Sequence, residues 1–285
     1  MNRRQFGLLA AASLTNARSQ AKPLPIGLQQ TAVSRNIQRD LTGTVRAIGK
    51  MGYDLVEFSG STYMKWSVAD TKQVRAAMDD VNLRCRSTHN EIASFTGDGL
   101  SKAIELNSIL GSDTLVSVRG PGTAAAPPTP DTWKRFSEQL SQAADRIRAA
   151  RMTLGFHNHE VEFRPTAGFR PIDLLVANKD ITSFHFNLGL CLKGGGDPIA
   201  FLKQCPGRIQ TILCQDFEGK ARWKETIAAA EQNGGLQFWL IQRTDGLSLV
   251  PRDGDDQLDH ARKDLDYFRR LLAQSHARTP AQPPA

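Results

Sequence analysis

Eight short runs of apolar and β-branched residues alternate with segments of helical periodicity along most of this chain. The apolar runs lie at residues 26–29, 55–58, 83–88, 114–118, 153–156, 184–188, 209–213 and 238–241. Helices are predicted between them over 39–51, 68–80, 98–110, 131–150, 171–178 and 222–233, from 198 onward, and over 257–273. Strict alternation of strand and helix argues for a parallel sheet. Eight such units in about 250 residues fit a closed (β/α)8 barrel.

The alternative arrangement is an open, doubly wound sheet. No Gly-x-Gly-x-x-Gly fingerprint follows the first strand, which weakens a dinucleotide-binding interpretation. We therefore predict an α/β protein with a single (β/α)8 barrel over residues 23–273. A Pro/Ala-rich tail, 274–285, is expected to be disordered.

The first 22 residues have the character of an export signal. Arg3 and Arg4 precede a short apolar stretch, Phe6 to Leu14, and a small-x-small site follows at Ser19-Gln20-Ala21. This pattern resembles a twin-arginine signal and predicts a periplasmic or secreted protein. The alternative is a frayed amphipathic helix in a cytosolic protein. The predicted barrel therefore begins after residue 22.

Charge and cysteine spacing exclude several classes of protein. The chain has 36 Lys and Arg against 29 Asp and Glu, and four of the basic residues lie in the first 22 positions. The rest is close to neutral, whereas a nucleic-acid binder needs a concentrated basic face. No apolar run approaches the roughly 18 residues of a membrane span. The four cysteines match no zinc or redox spacing. An oxidising compartment would permit disulfides, but buried free thiols are the prediction.

Polar residues collect at the predicted carboxyl ends of the strands, where barrels carry their active sites. Four of the six histidines are among them, and this convergence favours a functional site over isolated structural histidines. Since residues two apart on a strand face the same way, His157 and His159 can share a face, as can His185 and Asn187.

Two segments of the chain have a distinctive sequence, Gly155-Phe-His-Asn-His-Glu-Val-Glu-Phe163 and Met51-Gly-Tyr-Asp-Leu-Val-Glu-Phe-Ser-Gly60. They resemble segments of a known family, the sugar phosphate isomerase/epimerase group with the xylose isomerase-like TIM barrel, and the first is the more specific. Further matches lie at 26–29, 197–202, 206–209 and 215–217, so the resemblance covers about residues 25–272.

The resemblance implies one divalent metal, held by carboxylates and a histidine from strands five to eight. The metal would polarise a sugar carbonyl and hydroxyl while a carboxylate moves a proton. At those positions this chain has His157, Asn187, Leu213 and Gln242. None carries a formal negative charge, which a hard dication needs. No metal ligand and no Mn, Mg or Zn cofactor is therefore expected at the usual position, although a softer metal on His157, His159 and His185 stays open.

The remaining acid–base groups lead to a functional hypothesis. We predict an exported sugar isomerase- or epimerase-like protein acting on a keto or neutral sugar, with Glu57 and His89 as catalytic residues. Arg119 or Arg243 would be the electrophile. The substrate-binding residues are predicted to be Gln29, His157, Asn158, His159, His185, Asn187 and Gln242.

Two other classes of protein compete with this hypothesis. The alternative is a non-catalytic relative that binds carbohydrate or a partner. The zinc-dependent AP endonucleases share the fold, but they need several zinc ions and a basic face. The expected partner is thus a small carbohydrate, with neither nucleic acid nor membrane, and homo-oligomerisation stays open.

Overall fold

Eight parallel strands close into a barrel in sequence order. The computed structural model describes residues 23–121, 128–165, 168–233, 235–244, 247–251 and 254–277. Each strand pairs with the next, and the last pairs with the first. The strands are β1 Ile26–Gln29, β2 Leu55–Ser59, β3 Ser87–Asn90, β4 Thr114–Val118, β5 Thr153–His157, β6 Ser183–Asn187, β7 Ile209–Cys214 and β8 Phe238–Ile241. The predicted closed barrel is confirmed, and the open-sheet alternative is wrong.

Eleven α-helices are present in the described residues, and most follow a strand. They are α1 Ser34–Arg39, α2 Leu41–Lys50, α3 Gly60–Tyr63, α4 Val68–Asp79, α5 Gly97–Leu110, α6 Pro130–Ala149, α7 Pro171–Ala177, α8 Leu188–Lys193, α9 Pro198–Gln204, α10 Trp223–Gln232 and α11 Gln257–His276. Sequence periodicity did not reveal α1, α3 and α8, which span only four to six residues.

Local chemistry fixes several helix starts. As predicted, Pro198 occupies the first position of α9, and Asp197 accepts hydrogen bonds from the backbone N–H groups of Ile199 and Ala200. Helix α6 begins one residue before the predicted start at Asp131, so Asp131 is not its cap. Thr129 is the cap, and Pro130 fills the first helical position.

Two predicted boundaries differ from the structure by three residues or more. The third strand begins at Ser87, not Leu83: although Leu83 and Cys85 are buried, the segment before Ser87 makes only an isolated bridge, between Arg84 and Leu55. Helix α11 runs three residues past the predicted end at 273. Its last residue, His276, contacts Glu231 at 2.7 Å. Residues 278–285 of the tail lie outside the described residues.

Two apolar clusters hold the barrel together. The larger lies between the strands and the surrounding helices and includes Trp133 and Trp239. The smaller lies inside the barrel and consists of Leu55, Leu213, Phe238 and Leu240. The side chains of a strand alternate between these two spaces, so the sequence alternation decides which polar groups enter the barrel.

The four cysteines are buried and unpaired, as predicted. Within the described part of the chain, no helix combines the length and the apolar character needed to cross a bilayer. The predicted signal segment, residues 1–22, lies outside the described residues.

Candidate active site

The strand alternation sends histidines into the barrel and phenylalanines out of it. On β6, Phe184 and Phe186 pack against Phe201 on the helix side. His185 and Asn187 therefore point inward. The same rule applied to β2 and β3 turns Glu57 and His89 toward the barrel axis.

A buried carboxylate lies at the centre of these inward-facing groups. Oε2 of Glu57 is 2.9 Å from Nε2 of His89, and Oε1 is 3.3 Å from Nδ1 of His185. The hydroxyl of Ser87 donates to Oε1 of Glu57 at 2.5 Å. The structure thus brings together two predicted catalytic residues and one predicted binding residue from three different strands.

The charge of this group follows from its neighbours. Burial alone would raise the pKa of Glu57, but the contacts with His89 and His185 outweigh burial and lower it. Burial lowers the pKa of His185, against the opposing effect of Glu57. At neutral pH the carboxylate is therefore ionised while the His185 imidazole is neutral.

Gln29 connects this group to the first strand. Its Oε1 accepts hydrogen bonds from the backbone N–H of Thr31 at 2.7 Å and from the Thr31 hydroxyl at 2.5 Å. Its Nε2 donates to Oγ of Ser59 at 3.0 Å and lies 3.4 Å from Nδ1 of His89. All four contacts of the amide are internal to the protein.

A cleft of about 220 Å³ opens above these residues, at the carboxyl ends of β1 to β5 and β8. Five predicted site residues line it: Gln29, His89, His157, His159 and Gln242. Glu57 and His185 lie beneath it, and Asn158 and Asn187 do not line it. Contact with a ligand in the cleft therefore falls to His89 and not directly to Glu57.

The two other cleft histidines are neutral. Nδ1 of His157 lies 3.2 Å from the backbone oxygen of His185. Because a carbonyl only accepts, that Nδ1 carries the proton. Burial, followed by the charge of His89, lowers the pKa of His157. Burial and then Arg119 lower the pKa of His159 to about 4.

Asn158 is used within the fold. Its Nδ2 donates to the backbone oxygen of Asn187 at 3.0 Å, and its Oδ1 accepts from the Asn187 N–H at 2.8 Å. The side chain thus joins the end of β5 to the end of β6. This double contact leaves the Asn158 amide turned toward protein backbone.

Three amides, Asn187, Gln215 and Gln242, form a second polar group, here called the amide cluster. Nδ2 of Asn187 donates to Oε1 of Gln215 at 2.7 Å and to Oε1 of Gln242 at 3.0 Å. Oδ1 of Asn187 accepts from the N–H of Leu190 and caps α8.

The amide cluster occupies the place where the resemblance implies a metal, and its donors do not fit one. Asn187 directs N–H groups, not oxygen lone pairs, at its two neighbours. Leu213 belongs to the apolar cluster inside the barrel. A hard dication needs anionic oxygens, and His157, Asn187, Leu213 and Gln242 supply none.

A different set of donors converges deeper in the barrel. Glu57, His89 and His185 offer one ligand atom each within 4.8 Å of one another. This set, and not His157 with His159 and His185, is the group that the described residues bring within ligating distance. Two histidines and a carboxylate suit a transition metal by donor type. However, the Gln29 amide at Nδ1 of His89 favours a proton on Nε2, the atom that would have to bind the ion.

Neither arginine considered as an electrophile reaches the floor of the cleft. Arg243 forms two hydrogen bonds with the carboxylate of Asp264, at 2.9 and 3.0 Å, and donates to the backbone oxygen of Val250. The Arg119 side chain is 74% exposed at the rim, with Glu91 at 3.8 Å. The expectation that Arg243 is the electrophile is wrong, because its guanidinium forms a buried ion pair with Asp264.

Four residues of the site were missed by sequence reasoning: Thr31, Ser59, Ser87 and Gln215. Ser87 was detectable, because it precedes His89 by two positions and shares its face of the strand. Ser59 and Gln215 likewise lie two residues from Glu57 and Leu213. Thr31 carried no such signal, since its role depends on the turn after β1.

The fold and the site together define a (β/α)8 barrel protein with a polar cleft at the carboxyl ends of its strands. Residues 45–192, about half of the chain, match the family model described as xylose isomerase-like TIM barrel. The chain therefore belongs to that family, as the resemblance indicated.

Solved structures with sequence identities of 20% or less share the fold. A sugar phosphate isomerase/epimerase from Parabacteroides distasonis is 20% identical, with a TM-score of 0.73 over 92% of this chain and 99% of that one. The D-psicose 3-epimerase of Clostridium cellulolyticum H10, solved with D-tagatose, is 14% identical. Its TM-score is 0.66, over 87% of this chain and 99% of the epimerase.

A curated protein of Rhizobium meliloti is similar over a shorter stretch. The rhizopine catabolism protein MocC is 26% identical over 125 residues, 44% of this chain. The match spans 36% of the length of MocC.

Proposed function

We propose that this protein binds a neutral or keto sugar in the cleft and moves a proton at the carbon beside the carbonyl, as an isomerase or epimerase does. The observation that carries the proposal is the contact between Glu57 and His89 directly below a cleft lined mostly by uncharged hydrogen-bonding side chains, with Glu91 and Arg119 at its rim. Of the uncharged side chains, His157, His159 and Gln242 suit hydroxyl groups.

The roles of the two catalytic residues differ by position. His89 lines the cleft and exchanges the proton with the substrate. Ionised Glu57 lies behind the imidazole and stabilises the positive charge that a captured proton creates. The proton returns to carbon at the end, so no oxidant or reductant is needed.

The chemistry is proposed to proceed without a metal at the strand five to eight position. The support is the amide cluster, in which the Asn187 amide is already engaged by Gln215, Gln242 and the backbone N–H of Leu190. Family membership supports the sugar substrate, since structural relatives include proteins named as D-psicose and L-ribulose 3-epimerases.

The proposal is tested by solvent exchange. The protein at high concentration is incubated in D2O with D-fructose, D-psicose or D-tagatose, and the loss of a carbon-bound proton is followed by ¹H NMR. At least one sugar is expected to exchange. His89→Asn should abolish exchange, whereas His276→Asn, an exposed histidine on α11, should leave it unchanged. Retained exchange in His89→Asn would clear His89 of this role.

A second candidate, a non-catalytic carbohydrate- or partner-binding relative, is favoured by the same amide cluster. Binding of these sugars by calorimetry without exchange of any carbon-bound proton would establish it in place of the isomerase.

Export by the twin-arginine route is also proposed, from the Arg3 and Arg4 pair and the apolar stretch behind it. Replacing both arginines by lysine should retain the protein in the cytoplasmic fraction. Unchanged export of that variant would contradict the route.

A further inference from the structure

The orientation of the Gln29 side-chain amide is fixed by Thr31. The backbone N–H of Thr31 is 2.7 Å from Oε1 of Gln29, and only an oxygen can accept there. The Thr31 hydroxyl adds a second hydrogen bond to the same atom. The NH2 end of Gln29 is therefore the end that faces Ser59 and His89.

This orientation decides where His89 carries its proton. An amide NH2 group offers only hydrogens, so Nδ1 of His89, 3.4 Å away, has to present its lone pair. A neutral imidazole then has its one proton on Nε2. Nε2 lies 2.9 Å from Oε2 of Glu57, so a proton there is stabilised by the nearby negative charge, although the two groups are not aligned as a hydrogen bond.

We propose that Gln29 is a positioning residue that holds His89 in the Nε2-protonated tautomer, and that this proton keeps Glu57, His89 and His185 from binding a cation. The three side chains would otherwise present two imidazole nitrogens and a carboxylate to one point. With the proton on Nε2 of His89, the three side chains hold a proton at that point instead of a cation.

The tautomer has a chemical consequence for the proposed function, on which this part of the inference rests. It leaves the Nδ1 lone pair of His89 as the acceptor on the side of Gln29, and both residues line the cleft. The contact at 3.4 Å is long for a hydrogen bond, so a substrate group can replace it. A proton taken at Nδ1 then gives an imidazolium whose Nε2–H faces Glu57.

The substitution Gln29→Glu tests the inference with little change of shape. A carboxylate keeps the acceptor for Thr31 and can accept from Ser59, but it also accepts at Nδ1 of His89. The tautomer is read by long-range ¹H–¹⁵N correlation on the ¹⁵N-labelled full chain at pH 7.5, with His89 signals assigned by His89→Asn. Wild type should show the Nε2-protonated pattern, and Gln29→Glu should show a proton on Nδ1.

Gln30→Glu is the matched control. Gln30 is also buried but donates to Thr62 and has no contact with His89, so the His89 pattern should stay as in wild type. An Nδ1-protonated His89 in wild type, or an unchanged pattern in Gln29→Glu, would overturn the inference. So would stoichiometric Zn²⁺ binding by wild type, measured calorimetrically, that Glu57→Gln removes. These readouts need no substrate, so failure of the sugar exchange assay would leave them informative about Gln29.

Discussion

Nε2 of His89 and Oε2 of Glu57 are 2.9 Å apart, with side chains only 6% and 1% exposed. A charge buried this deeply is tolerated only with partners that compensate for lost hydration. Ser87 and His185 provide two more contacts on the same carboxylate. The pair therefore couples the stability of the barrel to the proposed chemistry at its mouth.

Replacing Glu57 by Gln should destabilise the fold. The NH2 group of the new amide would face either the Ser87 hydroxyl, which now donates to Oε1, or Nε2 of His89, which lies 2.9 Å from Oε2. Leaving one buried donor unsatisfied costs about 1–3 kcal/mol, measurable as a lower free energy of unfolding in urea. Glu105→Gln, at an exposed position on α5, should change stability by less than about 0.5 kcal/mol. Equal stabilities of the two variants would show that Glu57 is not held as described.

Titration of Glu162 is predicted to lower the free energy of unfolding as the pH rises. Burial raises the pKa of Glu162 to about 7, although the N–H of His159 donates to its carboxylate at 2.6 Å. The folded-state pKa is above the unfolded value of about 4.5. The contribution of Glu162 to the free energy of unfolding is therefore complete below pH 4.5 and is lost as the pH rises to about 7.

The variant Glu162→Gln removes this titration. Relative to wild type, its unfolding free energy should increase between pH 5 and pH 8, by up to about 3 kcal/mol. Urea unfolding at several pH values measures the difference, and the exposed Glu138→Gln on α6 serves as the control. A difference that does not change with pH would contradict the burial-raised pKa.

The barrel could be predicted from the sequence because its signals are local and repeated. Gly52, Gly111 and Asp197-Pro198 mark where helices end or begin, and each of them acts through its immediate neighbours in the chain. The apolar runs between such signals mark the strands. The predicted site residues also lie at strand ends, because alternation and topology place them there.

The division of labour within the site could not be predicted from the sequence. In the sequence, Asn158 and Gln29 cannot be distinguished from amides that bind a sugar. In the structure, both side chains are held by hydrogen bonds within the protein. The partner of Asn158 lies 29 residues away, and Ser59 and His89 lie 30 and 60 residues from Gln29. Arg243 similarly depends on Asp264, whose position follows from the packing of α11.

A metal titration tests the amide cluster. The wild-type melting temperature should not rise with millimolar Mn²⁺ or Mg²⁺, because the side chains of Asn187 and Gln242 are neutral and form a hydrogen bond with each other. The double variant Asn187→Asp, Gln242→Glu returns two carboxylates beside His157, and it should be stabilised by Mn²⁺. A reproducible increase for wild type that the variant His157→Gln abolishes would show that the usual site is used after all.

Breaking the buried ion pair between Arg243 and Asp264 should lower the free energy of unfolding strongly. Its side chains are only 8% and 1% exposed, and the guanidinium makes two hydrogen bonds to the carboxylate. Arg243→Met would leave Asp264 buried with the N–H of Val250 as a remaining donor. Removing one partner of a buried pair costs about 3–5 kcal/mol.

The exposed pair of Arg222 and Asp197 provides the comparison, since its side chains are 53% and 57% exposed. Arg222→Met should cost less than about 1 kcal/mol, because water already screens that pair. Urea unfolding of both variants at pH 7 measures the contrast. Adding Asp264→Asn to Arg243→Met should recover part of the loss, because the unpaired charge is then removed. A cost for Arg243→Met as small as that for Arg222→Met would mean that Arg243 does not hold α11 against the end of β8, and its guanidinium would again be available to the cleft.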